Sequence, residues 1–196
     1  MKVIDVTVDE IIDLGLEIAR NDGFSALTIR DVATAARVSV GTVYNLFGDK
    51  DTLVGRIMER FWRQTLHVDL ERIEAEAIPF LPKIARVYQL FRLRSTEFHN
   101  TLMQNFSVTP KLKDDARCTR MDYMQLIGDR IVNLLAAYPK LDSKLQDPNR
   151  RSELAVFIAD SILSGVRRSA PSLGFVEELL FTYLITLAPN AEEDIR

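Results

Sequence analysis

Cysteine is nearly missing from this chain of 196 residues: Cys118 stands alone, which excludes an internal disulfide and a cysteine-built zinc site. Histidine is almost as scarce, with only His67 and His99, so neither a metal nor another cofactor is expected. Only Arg117 and Arg120 stand near Cys118 to favour a thiolate, and the thiol reads as inert helix packing. Long apolar runs are missing too. Charges such as Asp129, Arg130 and Asp160 interrupt every greasy stretch well short of the roughly 20 residues that a membrane span needs. The start, Met1-Lys2-Val3-Ile4-Asp5, lacks the basic, apolar and small-residue regions of a signal peptide, and a soluble cytoplasmic protein is the expectation. Motifs for nucleophilic, phosphate or zinc-hydrolase chemistry (G-x-S-x-G, P-loop, H-E-x-x-H) do not occur, and Asp114-Asp115 reads as a solvated helix face. An enzyme has little to stand on.

What is present is ordinary globular material, 47% hydrophobic and 27% charged, with apolar residues recurring at three- and four-residue spacing almost throughout. That period predicts an all-α fold. Val3 to Val8 alternates briefly but leads into Thr7-Val8-Asp9-Glu10, a capping box with Val6 placed to staple onto Ile11. The first helix is expected to stop near Asn21, at the turn Asn21-Asp22-Gly23. Thr28, with Asp31 three positions on, opens a second helix to about Ala36, whose small Ala33 and Ala36 permit a close crossing. After Arg37-Val38, Ser39 is placed to cap a short helix over Val40 to Phe47. Helix, tight turn and short capped helix make a helix-turn-helix.

Asp49 is placed to cap a longer helix carrying Leu53, Ile57, Phe61 and Leu66. Further helices are predicted from Phe80 to about Phe91, Ser95 to Phe106 and Pro110 to Ala137. The two prolines and polar residues of Tyr138 to Arg150 read as a surface loop, followed by helices over about Ser152 to Arg168 and Ser172 to Leu187. The expected architecture is about nine helices: a three-helix head over residues 1–50 and a larger helical domain over residues 51–196.

With those residues in hand, Gly23 to Leu53 resembles the DNA-binding domain of TetR-family regulators. The likeness lies in G-F-x-x-L-T, D-V-A-x-A, V-S-V-G-T-V-Y, the aromatic Phe47 and D-K-D-x-L, and covers about 45 residues; the remainder corresponds only in helix order. Gly41 removes a side chain where backbone would approach a duplex, at a helix cost of about 1 kcal/mol relative to alanine. The resemblance implies that Thr42 and Tyr44 donate to phosphates and that Lys50 clamps another at the start of the fourth helix. Val40, Gly41, Asn45 and Arg30 are candidates for base edges, and the caps Thr28 and Ser39 complete the candidate DNA-binding set. Phe47 taken singly reads as a core aromatic, and Tyr44 fits core and DNA contact equally. Two features depart from the family pattern. Arg37 stands where glycine is common in the turn. Residues 1–55 hold five basic against nine acidic side chains, a net of −4, although Arg56, Arg60 and Arg63 leave a basic face possible.

The resemblance further implies an effector pocket in the larger domain, for which Phe61, Trp62, Tyr88, Phe91, Phe98, His99, Met103, Met121 and Met124 are candidates. Each taken alone reads as core, and only the resemblance makes the group a pocket. Asn100, Gln104, Asn105 and Gln125 are polar candidates beside them. The two closing helices carry more apolar surface than one face needs, so Phe157, Ser161, Phe175, Leu179 and Tyr183 are expected at an interface with a second copy. The partners expected are double-stranded DNA, a small-molecule effector and a homodimer mate, with no membrane. The resulting expectation is a ligand-responsive repressor released from a palindromic operator by an apolar or amphipathic effector. The alternative is a helical ligand-binding or interaction protein with weak or lost DNA binding.

Overall fold

A computed structural model describes residues 6–145 and 147–196; the side chains of residues 65, 66, 113–123, 125, 126 and 142 lie outside the described set, and with them the expectations placed on Met121, Cys118 and Gln125. Every element among the described residues is helical. In chain order these are α1 (Val8–Ala26), α2 (Ile29–Ala35), α3 (Val40–Phe47), α4 (Lys50–Gln64), α5 (Leu70–Ala75), α6 (Phe80–Glu97), α7 (Pro110–Ala136), α8 (Pro139–Asp142), α9 (Pro148–Arg167), α10 (Phe175–Leu187) and α11 (Glu192–Ile195).

The helices differ from the nine expected for identifiable reasons. The segments predicted separately at 80–91 and 95–106 are one run, because Arg92-Leu93-Arg94 contains no helix breaker; α6 passes into a wider turn over Phe98–Leu102, where Met103 N–H reaches back five residues to Phe98 O. A similar wide turn over Thr65–Asp69 joins α4 to α5. The stretch 138–150 is not a plain loop. Pro139 and Pro148 each open a helix at its first turn, where a missing N–H costs nothing.

The chain divides into two compact units, residues 1–65 with 96–119 and residues 66–95 with 120–196. In the first, α1 begins with the expected capping box between Thr7 and Glu10, and α2 with the same device between Thr28 and Asp31. Helical geometry in α1 is broken at Gly23, whose φ of 77° few other residues adopt; a Cβ there would also meet the Thr101 carbonyl at 3.2 Å. Gly15 allows the close α1 to α4 contact, since its Cβ would lie 2.6 Å from Ile57 Cδ1. Around these contacts Ile11, Leu16, Phe24, Leu27, Val32, Val43, Leu53 and Ile57 are buried completely, each contributing about 1.5–3 kcal/mol of burial energy.

The second unit is organised by α6, α7 and α9. Ile84, Ile158 and Ile162 are fully buried, and Phe80 meets Tyr138 edge-on at 5.8 Å. Lys83 is the one charged residue buried among those described; its Nζ donates to Glu74 O at 2.9 Å near the end of α5 and lies 5.5 Å from the Tyr138 ring. Burial lowers its pKa, while the carbonyl and the ring stabilise its charged form.

Candidate nucleic-acid interface

The helix-turn-helix is built by α2, its terminal turn and α3. The turn takes the conformation that suits glycine: Arg37 has φ 56°, Val38 N donates to Ala33 O at 3.0 Å and Arg37 N to Thr34 O at 3.1 Å. This double closure satisfies the last carbonyls of α2, with the non-glycine residue at its centre costing about 1–2 kcal/mol. Ser39 caps α3, accepting from Thr42 N at 3.0 Å, and the two hydroxyls meet at 2.8 Å.

Two residues one turn apart, Val43 and Phe47, bury one side of α3 in the core, at 0% and 6% exposure. The other side is open. Val40, Tyr44 and Leu46 are 39%, 50% and 46% exposed, Gly41 and Asn45 are exposed, and Thr42 is half-buried. Phe47 is therefore core, and Tyr44 is a surface aromatic with its hydroxyl available. Gly41 has no packing reason to be glycine, because a Cβ on it would meet only Ser39 Oγ, at an ordinary 3.6 Å. Thr28 has another commitment: its hydroxyl donates to Asp31 Oδ2 at 2.6 Å and accepts from Asp31 N at 3.2 Å. A phosphate contact from that hydroxyl requires opening the capping box.

Charge is distributed unevenly. Arg60 pairs with Asp9 and, at 3.4 Å, with Asp13; Glu59 holds both Arg56 and Arg63. The three arginines that left a basic face possible are thus paired with neighbouring acids. Glu10 and Asp31 are tied up in caps. Asp49 accepts from Thr52 N and Lys111, which together hold its carboxyl at about 2, and Asp51 accepts from Thr109 Oγ1 at 2.7 Å. Arg30 and Arg37, both exposed, and half-buried Lys50 form no ion pair with any described residue. These cations lie on α2, on the turn and at the first residue of α4, the segments that precede and follow α3 in the chain. Arg37 was not among the sequence candidates; its signal was the very departure from glycine that marks the turn.

Residues 11–57, which span the helix-turn-helix and the start of α4, match the family model described as bacterial regulatory proteins, tetR family. Over those residues the chain is similar to the DNA-binding domain of that family. The HTH-type transcriptional repressor DhaR of Mycobacterium sp. (strain GP1) is 21% identical over 98 residues, 50% of this chain and 49% of that protein. The chain therefore matches about half the length of that curated relative. Among solved structures, the regulator FadR from Bacillus subtilis in complex with stearoyl-CoA aligns over 97% of this chain and 100% of its own, with 14% identity and a TM-score of 0.48. A CifR cysteine mutant complexed with operator DNA aligns over 95% and 97%, with 14% identity and a TM-score of 0.49.

The TetR-type head is the part that this match covers, and the remaining candidate residues fall beyond it or at its edge. Phe61, Trp62, Phe98 and Met103 belong to the first unit, where Trp62 lies 5.2 Å from Phe61 and 5.4 Å from Phe98, ring to ring. Phe61 is buried as core, while His99, Asn100, Gln104 and Asn105 are exposed. The wide turn at 98–102 directs Phe98 and Leu102 inward and leaves the intervening residues outward. Tyr88 and Phe91 are buried in the second unit and Met124 is half-buried there. On α9, Phe157 is 42% exposed with Ser161 half-buried beside it; on α10, Phe175, Leu179 and Tyr183 are exposed at four-residue spacing. Among the described residues no helix is long and apolar enough to cross a membrane, and no group of metal-ligating side chains occurs.

Proposed function

We propose that this chain is a DNA-binding transcriptional regulator whose residues 1–50 engage a palindromic operator and whose residues 51–196 bind an effector and a second copy. The observation that carries the reading is the open side of α3: uncharged and presenting Val40, Gly41, Tyr44 and Asn45, in a helix-turn-helix whose neighbouring segments carry Arg30, Arg37 and Lys50 without acidic partners among the described residues. Tyr44, Thr42 and the cations would position phosphates, and Val40, Asn45 and Arg30 would meet base edges in a major groove. A helix-turn-helix dimer requires half-sites about 34–36 Å apart, so an effector that alters head spacing releases the DNA. The repressor sign is supported by the half-length likeness to DhaR. An apolar or amphipathic effector fits the aromatic and methionine candidates of the body. The reading includes no catalysis and a cytoplasmic address.

The second reading, a helical binding protein whose head no longer reads DNA, is favoured by the net −4 of residues 1–55. One experiment separates the two. The full chain is used to select from a pool of random duplexes at moderate salt; enrichment of a palindrome that Tyr44→Ala and Lys50→Ala variants fail to bind supports the regulator. No enrichment overturns it in favour of the second reading.

A further inference from the structure

The fourth helix opens Asp49-Lys50-Asp51, so the lysine assigned to a phosphate stands between two carboxylates. A bare carboxylate about 6 Å from a phosphate at a protein surface opposes binding by roughly three- to tenfold. Both carboxylates are engaged by the opening of α7. Lys111 Nζ donates to Asp49 Oδ2 at 2.7 Å and to Thr52 Oγ1 at 2.8 Å, while Asp49 Oδ1 accepts from Thr52 N and Oγ1, both at 2.8 Å, as the cap of α4. Thr109 Oγ1 donates to Asp51 Oδ2 at 2.7 Å and accepts from Leu112 N at 3.3 Å. Leu112, only 2% exposed, anchors that turn of α7 beside Gly55. The contacts close a network within the first compact unit across 62 positions of sequence.

Resting on the DNA-binding reading above, we propose that Lys111 is a positioning residue for DNA: it shields the Asp49 carboxylate so that the N-terminus of α4 and Lys50 can accept a phosphate. The ammonium supplies at the helix end the positive charge that the sequence of α4 itself does not, its opening triplet being net acidic. Asp49 would be ionised near neutral pH with or without its partners, because a surface aspartate titrates at about 4. The shield is therefore needed there. DNA affinity thereby becomes conditional on where the first turn of α7 stands. This is an electrostatic control in addition to any change in head spacing.

The test is a double-mutant cycle in the full chain, read by fluorescence anisotropy on a labelled duplex carrying the selected palindrome. Lys111→Met is expected to weaken binding three- to tenfold per head. Asp49→Asn, which keeps a good cap, should bind at least as well as the parent, and the Lys111→Met change should cost nothing further in that background. Thermal melts of all four proteins check that the fold is retained. An equal loss in both backgrounds overturns the proposal, because Lys111 then acts on DNA directly or merely props α4; so does no loss in either. If the parent and Lys50→Ala are alike in failing to prefer the palindrome over a scrambled duplex, the DNA-binding reading itself has failed, and the shield with it.

Discussion

The ring of Tyr88 fills the space that a side chain at residue 165 would need: its Cε2 lies 2.9 Å and its Oη 3.3 Å from an ideal Cβ on Gly165. The ring is not free to yield. Its hydroxyl donates to Ala170 O, and α9 terminates there through Ser169, with φ 54°, and a 3.0 Å bond from Ala170 N back to Gly165 O. Tyr88 thus ties α6 to the end of α9. Gly165→Ala is expected to lower stability by about 1–3 kcal/mol, because overpacking displaces an anchored ring, and Tyr88→Phe by about 1 kcal/mol through the lost hydrogen bond. Denaturant midpoints of the two variants check both values; a neutral Gly165→Ala would mean that α9 shifts without resistance.

Gly41 separates stability from function. Among the described residues a methyl group there meets only Ser39 Oγ, at an ordinary 3.6 Å, and glycine inside a helix costs about 0.5–1 kcal/mol relative to alanine. Gly41→Ala should raise the melting temperature while weakening binding to the selected duplex. Melting that rises with binding intact would remove the reason given for the glycine.

Arg37 presents the same opposition in reverse. Its left-handed backbone is strained, yet the side chain is an exposed cation in the turn that leads into α3. Arg37→Gly is expected to stabilise the protein by about 1 kcal/mol and to flatten the salt dependence of DNA binding. With Arg30, Arg37 and Lys50 on each of two heads, log K against log salt should fall with a slope of about −5, and the variant should lose about two units of it. An unchanged slope would show that Arg37 touches no phosphate.

Local chemistry was the legible part of this fold. The Thr7 and Thr28 capping boxes and the Ser39 cap each depend on residues three positions apart, and the period of the helix writes such pairs directly into the sequence. Contacts between distant segments were not legible. No local rule joins Arg60 to Asp9 or Lys111 to Asp49, so the basic face that Arg56, Arg60 and Arg63 seemed to offer was counted without their partners. The run Phe80–Leu102 was divided in two because a polar patch at Arg92 to Ser95 resembles a loop when the helix's solvent side is unknown. Tyr44 fitted core and surface equally until the fold showed which flank of α3 was covered.

The exposed line on α10 yields the last prediction. Phe175, Leu179 and Tyr183 are 75%, 45% and 37% exposed, one helical turn apart, while Leu180 and Leu184 take the buried side. Apolar side chains at that spacing on the outer face of a helix that already has a buried face are surplus to this chain's own core, and a second copy is the proposed cover. Leu179→Glu puts a charge in the middle of the line without removing any core contact. Sedimentation velocity should then show a dimer for the parent and a monomer for the variant, with circular dichroism unchanged. Affinity for the palindrome should drop towards that of a single half-site, because the second head no longer binds at the effective concentration set by the first. If the variant remains dimeric, the line on α10 is not the interface, and Phe157 and Ser161 on α9 become the residues to change next.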